Sequence, residues 1–313
     1  MGNMFERSTA NYGFVVAALD RFAALDPTLR RRRALARIAA RRLLPADLAP
    51  LTYAFEDLLG ESTTSARRLL HDWFFYRQLE AASWSGAVRC GRSTLLDAAR
   101  VGAYVDACPR GIVVATMHLG DYLEGLRRFR LAPTWTKRVF VVRRAAWSEL
   151  EARAFARVAG DVDLTVLRSG RGAAVAAVRE LKRGNVVIVL FDLPERFGPT
   201  TEAEFCGRTL RVVRGPAELA VLGDADVLPL FTHYDERGIS VAQAMPVIAA
   251  MQPPRAERQR RVRAITQRLW RFAAAFVRAD PAQWSNWSMV AEMCAASNRR
   301  RDDAAAASPR GDV

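Results

Sequence analysis

The stretch Gly111-Ile-Val-Val-Ala-Thr-Met-His118-Leu-Gly-Asp121-Tyr-Leu-Glu124-Gly gathers groups able to do acid–base chemistry. It reads as a buried strand that delivers His118 to its carboxyl end and then as the start of a helix; sites of open α/β sheets lie at such strand ends. A histidine titrates near neutrality and so can take the proton of a hydroxyl. A carboxylate on its other ring nitrogen would fix the tautomer and stabilise the imidazolium. Asp121 and Glu124 are the two candidates for that carboxylate. The same pair also has a purely structural reading, because Asp-x-x-Glu has the spacing of a capping box with Asp in place of Ser or Thr. On that reading one acid caps the helix and the other reaches back.

Little else in the chain offers local chemistry. Cys90, Cys108, Cys206 and Cys294 are far apart, with no CxxC or His-containing ligand spacing, so neither a zinc site nor a disulfide framework is expected. His71 lies inside a helical pattern and reads as a helix residue rather than a ligand.

The elements that must position these residues follow from hydrophobic periodicity. Phe14, Val15, Ala18, Phe22 and Leu25 recur at helical spacing between Asn11 and Leu44, with the basic stretch Arg30 to Arg42 behind them. Such amphipathic helices can pack on a core or lie on an anionic membrane. A second helical region runs from Leu51 to about Ser83. After Gly111 short apolar runs alternate with helical patterns: Ile112 to Met117, Val139 to Val142, Leu164 to Leu167, Val186 to Phe191, Val227 to His233 and Ile239 to Ala244. That alternation predicts an α/β fold, a mixed central sheet flanked by helices. A helix from about Ala173 to Arg183 should stop at Gly184, and another spans about Arg255 to Arg278. The expected organisation is an N-terminal helical region, 1–110, packed on an α/β core, 111–295, with a disordered polar tail, 296–313.

Of 313 residues, 47 are Lys or Arg and 33 Asp or Glu, a net charge of +14 that will attract acidic lipid headgroups, nucleic acid or an acidic protein. No recognition motif or aromatic–basic interleaving supports nucleic acid, so none is expected as a partner. No run approaches the roughly eighteen apolar residues of a spanning helix. The N-terminus, with Glu6, Arg7, Asp20, Arg21 and Asp26 among its apolar residues, does not read as a secretory signal, which predicts a cytoplasmic protein.

From Gly111 to Met293 the chain resembles the lysophospholipid acyltransferase superfamily and, within it, the lipid A late acyltransferases that transfer lauroyl and myristoyl chains. The family carries a histidine after a strand with an acid five positions later. Here Thr116-Met-His118-Leu-Gly-Asp-Tyr stands at that place, but position five is Leu123 and the acids fall at three and six. A one-residue insertion would let Glu124 serve; otherwise a changed geometry gives the role to Asp121. One helical step turns a side chain by about 100° and two steps by about 200°, which favours Glu124.

Further along, Arg143-Arg144 resembles the block in which an arginine follows a strand near the acyl and phosphate groups, though both also read as surface charge. Arg168-Ser-Gly-Arg-Gly, a helix, and Arg183-Gly-Asn-Val-Val-Ile-Val-Leu-Phe-Asp192-Leu-Pro resemble the family's basic turn and the apolar strand that leads to an Asp. Glu204-Phe-Cys-Gly-Arg208, Arg214-Gly-Pro, Gly223-Asp-Ala-Asp-Val-Leu-Pro229 and Asp280-Pro-Ala-Gln-Trp284-Ser-Asn-Trp287 then follow in family order. Trp284 and Trp287, at i and i+3, read as packing for a terminal helix.

The resemblance implies acyl transfer from an acyl carrier protein or coenzyme A thioester to a lipid hydroxyl, without metal or organic cofactor. His118 would be the base, Glu124 or Asp121 its orienting acid, and Arg143, Arg144, Arg168, Asp192 and Arg214 the substrate-binding residues, with Arg168 preferred for the oxyanion. Acyl carrier proteins are acidic, which gives the positive charge a partner. Typical relatives carry an N-terminal anchor helix that this sequence does not show. The resemblance therefore implies peripheral contact with the inner membrane's cytoplasmic face, or a more soluble acceptor such as a natural-product intermediate. A non-catalytic binder of lipid or carrier protein is the alternative reading.

Overall fold

The computed structural model describes residues 49–85, 93–131, 136–143, 149–162, 164–168, 170–250 and 252–294. The helices expected between Asn11 and Leu44, Cys90, Arg144 and the tail lie outside the described residues.

Helices α1 (Ala49–Leu59) and α2 (Thr63–Ser85) divide the predicted helical region at Gly60, whose φ of +65° favours glycine. Strand β1 (Ser93–Leu95) and helix α3 (Ala98–Ala107) lead to β2 (Ile112–Thr116), followed by α4 (Tyr122–Arg130), β3 (Val139–Arg143), α5 (Glu149–Val162) and β4 (Leu164–Arg168). Then come α6 (Arg171–Lys182), β5 (Val186–Leu190), the hairpin β6 (Thr200–Phe205) and β7 (Arg208–Val213), α7 (Gly215–Gly223), β8 (Asp226–Tyr234), β9 (Ser240–Ala244) and α8 (Arg258–Ala279).

Seven strands form one sheet in the order β1-β9-β8-β2-β5-β3-β4. The strands from β8 to β4 are parallel, whereas β9 runs antiparallel to β8 and carries β1 with it. This is the mixed central sheet expected from the alternation of apolar runs and helical patterns. Parallel strands need cover on both faces, and β2 shows why its sequence is apolar up to its last residue, Thr116. Val113, Ala115 and Met117 join a core that includes α1, α2, α7 and α8, while Ile112 and Val114 join a second core beneath α3, α4 and α5.

Two features went unread in the sequence. Strand β1 is too short for a periodic signal. The β6–β7 hairpin does alternate: Ala203, Phe205, Leu210 and Val212 are buried, and Cys206 and Gly207 turn it at φ +52° and +84°. Two successive residues of positive φ suit a tight hairpin, whose twist they match.

Candidate active site

His118 stands two residues beyond the end of β2, itself 6% exposed, in a loop fastened from across the molecule. Its carbonyl oxygen accepts hydrogen bonds from the Ser285 backbone N–H at 2.9 Å and from Ser285 Oγ at 2.8 Å, and Gly120 N–H donates to the Gln283 carbonyl at 3.1 Å. Gly120 has φ +54°, and a Cβ there would come within 2.7 Å of the Thr232 carbonyl oxygen. Only glycine fits that turn without displacing backbone.

The carboxylate beside His118 comes from the end of β5. Asp192, fully buried, places Oδ1 2.9 Å from His118 Nδ1 and accepts the His118 backbone N–H on Oδ2 at 3.0 Å. Trp284 Nε1 donates to Oδ2 at 2.8 Å, and Asn286 Nδ2 donates to the Asp192 carbonyl at 2.9 Å and to Oδ2 at 3.1 Å. Those two bonds use both hydrogens of the Asn286 amide. Its third neighbour, His118 Nδ1 at 2.9 Å, is therefore a contact rather than a donation. A carboxylate oxygen facing Nδ1 requires the proton there, which assigns the Nδ1–H tautomer and leaves Nε2 as the acceptor. Burial disfavours the imidazolium, but the Asp192 carboxylate, with Glu151 and Glu80 adding to it, outweighs burial and raises the His118 pKa above its ordinary value.

A second polar layer surrounds the ring. Tyr122 packs edge-on against His118, with centroids 5.0 Å apart, and donates its hydroxyl to Glu151 Oε1 at 3.1 Å. The same oxygen takes the Arg143 guanidinium at 2.9 Å, and Arg143 lies over the Phe155 ring at 4.0 Å. Burial, with the Glu151 and Glu80 charges, holds the Tyr122 phenol well above its usual pKa, so it remains a donor. Glu80, on α2, is pushed up to about 7 by burial, which outweighs the pull of its ion-pair partner Arg77.

His118 opens on a cavity of about 710 Å³ whose walls are mostly apolar. It reaches both sides of the sheet, past Leu126, Val141, Phe155 and Ile188 on one and Val142, Val178, Val189 and Leu219 on the other. Passage is possible because β3 and β5 pair only from Val139↔Val186 to Val141↔Ile188 and part beyond. Among the described residues no group of His, Cys, Asp or Glu has the makings of a metal site.

Residues 166–287 match the family of bacterial lipid A biosynthesis acyltransferases. The match supports the lipid A acyltransferase branch of the superfamily. No curated protein matches the chain. The matched stretch includes Asp192, Trp284 and Asn286, and it begins downstream of His118.

Against the acyltransferase expectations, the acids closest in sequence to His118 are placed elsewhere. Asp121 is the N-cap of α4, accepting from the Glu124 backbone N–H at 3.2 Å, Ser83 Oγ at 2.7 Å and Trp84 Nε1 at 3.2 Å. Burial raises its pKa against the pull of those donors. Glu124 bonds Ser93 and pairs with Arg128 at 3.1 Å and Arg127 at 3.4 Å. Asp192, expected as a substrate-binding acid, is the one that meets the imidazole.

Arg143 does line the cavity, already paired with Glu151. Arg168 is exposed on edge strand β4 and is not among the cavity-lining residues, so the oxyanion role has no geometric support there. Arg214 pairs with Glu218 at 2.8 Å and bonds Gln259 at 3.0 Å; its chain neighbours Val213 and Gly215, rather than Arg214 itself, line the cavity.

Glu151, Glu80, Tyr122, Thr116 and Asn286 were not singled out from the sequence. Glu151 had a signal, since it precedes Ala154, Phe155 and Val158 at i+3, i+4 and i+7 and so sits on the buried stripe of α5. Glu80 likewise follows Trp73 and Tyr76 by seven and four residues on α2. An acid on an apolar stripe marks either a paired structural charge or a site.

Proposed function

We propose that the chain transfers a fatty acyl group from an acyl carrier protein or coenzyme A thioester to a hydroxyl of a lipid A-like or other lipid acceptor. The observation that carries this reading is the His118–Asp192 pair opening on an apolar cavity of about 710 Å³, a size suited to a small hydrophobic ligand. His118 Nε2 takes the proton of the acceptor hydroxyl as its oxygen attacks the thioester carbonyl carbon, and the carbonyl electron pair moves onto oxygen. The pair then returns, the C–S bond breaks, and His118 hands its proton to the leaving thiolate. Asp192 keeps Nδ1 protonated and stabilises the imidazolium formed between the two steps.

A lipid acceptor is supported by the rim. Val175 and Leu222 line the cavity and are 61% and 50% exposed, with the exposed cations Arg179 and Lys182 beside Val175 on α6. Apolar side chains flanked by cations suit peripheral contact with anionic lipid at the inner face of a membrane, and no helix among the described residues is long and apolar enough to cross one. The net charge of +14 also favours an acidic carrier protein as donor.

Mass spectrometry of purified protein incubated with acyl carrier protein and coenzyme A thioesters and candidate lipids tests the reading directly. Wild type should yield acylated lipid and free thiol, and His118→Ala should lower the rate by about 10²–10⁴-fold. Equal transfer by mutant and wild type would remove the enzyme reading at this site.

A further inference from the structure

Thr116 is the last residue of β2 and lines the cavity with His118, yet it is 1% exposed and its Oγ1 makes no hydrogen bond among the described residues. Its backbone is fully employed, since the Thr116 carbonyl accepts from Phe191 N–H at 3.0 Å and the residue pairs in register with Leu190. The hydroxyl is thus a buried donor without a partner among the described residues. Valine has the same branched shape, packs as well on a strand and would avoid that cost, so the fold gives no reason for threonine here.

We infer that the Thr116 hydroxyl is a catalytic hydrogen-bond donor to the thioester carbonyl oxygen and to the oxyanion that forms from it. This rests on the acyl-transfer reading. Thr116 ends β2 and His118 stands two residues on in the loop that follows, and both line the cavity. A thioester carbonyl carbon bound between them meets a proton acceptor on one side and a hydrogen-bond donor on the other. The attacking oxygen lies at His118 Nε2 and the carbonyl oxygen at Thr116 Oγ1.

Two other side-chain donors of the cavity wall are already engaged: Tyr122 gives its hydroxyl to Glu151, and Arg143 is paired with the same carboxylate. As the carbonyl electrons move onto oxygen, a donor fixed in an apolar pocket gains strength without having to reorient. The Thr116 O–H bond itself stays intact; the transferred proton passes only between the acceptor hydroxyl, His118 and the leaving thiol.

Steady-state acyl transfer and thermal melts of the full chain, as wild type, Thr116→Val, Thr116→Ser, Thr116→Ala and His118→Ala, test the assignment. Thr116→Val should melt at or above the wild-type temperature and lose about 100-fold in kcat with KM within about threefold, while Thr116→Ser keeps most of the rate. Should valine perturb the fold, serine against alanine isolates the hydroxyl, and equal rates for that pair overturn the assignment. So does a Thr116→Val rate within twofold of wild type while His118→Ala is inactive, an outcome that leaves the acyl-transfer reading standing. No thioester turnover by wild type, by contrast, removes that reading and the assignment together.

Discussion

Asp121 and Asp192 are both buried carboxylates, 1% and 0% exposed, but they serve opposite ends of the same histidine loop. Asp121, three residues after His118, spends its oxygens on the start of α4 and on Ser83 and Trp84 of α2. Asp192, 74 residues away in sequence, faces the imidazole. The register of the sheet explains the difference. Thr116 pairs with Leu190 across β2 and β5, so His118 and Asp192 each lie two residues beyond a matched pair and emerge side by side. In a parallel sheet, strand ends that are neighbours in space converge on one site whatever their separation along the chain.

The comparison can be broken or sharpened by substitution. Asp192→Asn should have the largest effect, a fall in kcat of about 10²–10⁴-fold, with a displaced pH profile. In the wild type the Asp192 carboxylate stabilises the imidazolium and raises the His118 pKa, so the basic form and the activity appear only at higher pH. Without that charge the desolvation of the ring dominates, and the inflection of kcat against pH should move down. An unmoved inflection would separate Asp192 from the base.

Asp121→Ala should act on the fold instead. Loss of the cap and of the bonds from Ser83 and Trp84 predicts a destabilisation of about 2 kcal/mol by denaturant titration, with kcat of the folded fraction changed by less than about threefold. A large kcat loss at unchanged stability would return Asp121 to the catalytic group. Glu124→Gln should do least, since its pairs with Arg127 and Arg128 are partly exposed and screened: under about 1 kcal/mol, with transfer within twofold of wild type.

Much of this was legible in the sequence. The apolar runs of β2, β3, β4, β5, β8 and β9 stand within one or two residues of their observed bounds, and the reason is clearest for β5, a central parallel strand that is apolar throughout. Gly184, at φ +83°, ends α6 where expected, one residue beyond its cap. His118 was legible as a strand-end histidine, and the capping spacing of Asp121 and Glu124 described Asp121 correctly. The hairpin was legible too, in the alternation around Cys206-Gly207, but its strands are half polar and fell below the apolar-run signal.

The Pro281–Trp287 element shows where reading along the chain ends. Trp284 and Trp287 are 0% and 1% exposed, as packing residues are, and Trp284 makes edge contacts with Phe205 and Trp270. The indole of Trp284 also donates to Asp192, and Asn286, two residues on, donates to the same carboxylate. Nothing in the local pattern could say so, because the partner is 92 residues away.

The sequence by itself determined the elements and the residue types able to do chemistry, since periodicity, turn glycines and helix caps act over a few neighbours. Which carboxylate meets His118, which arginine reaches the cavity and whether the Thr116 hydroxyl finds a partner among the described residues were decided by strand order and register. Those set distances between residues far apart in the chain, and hydrogen bonds and charges respond to distance in space.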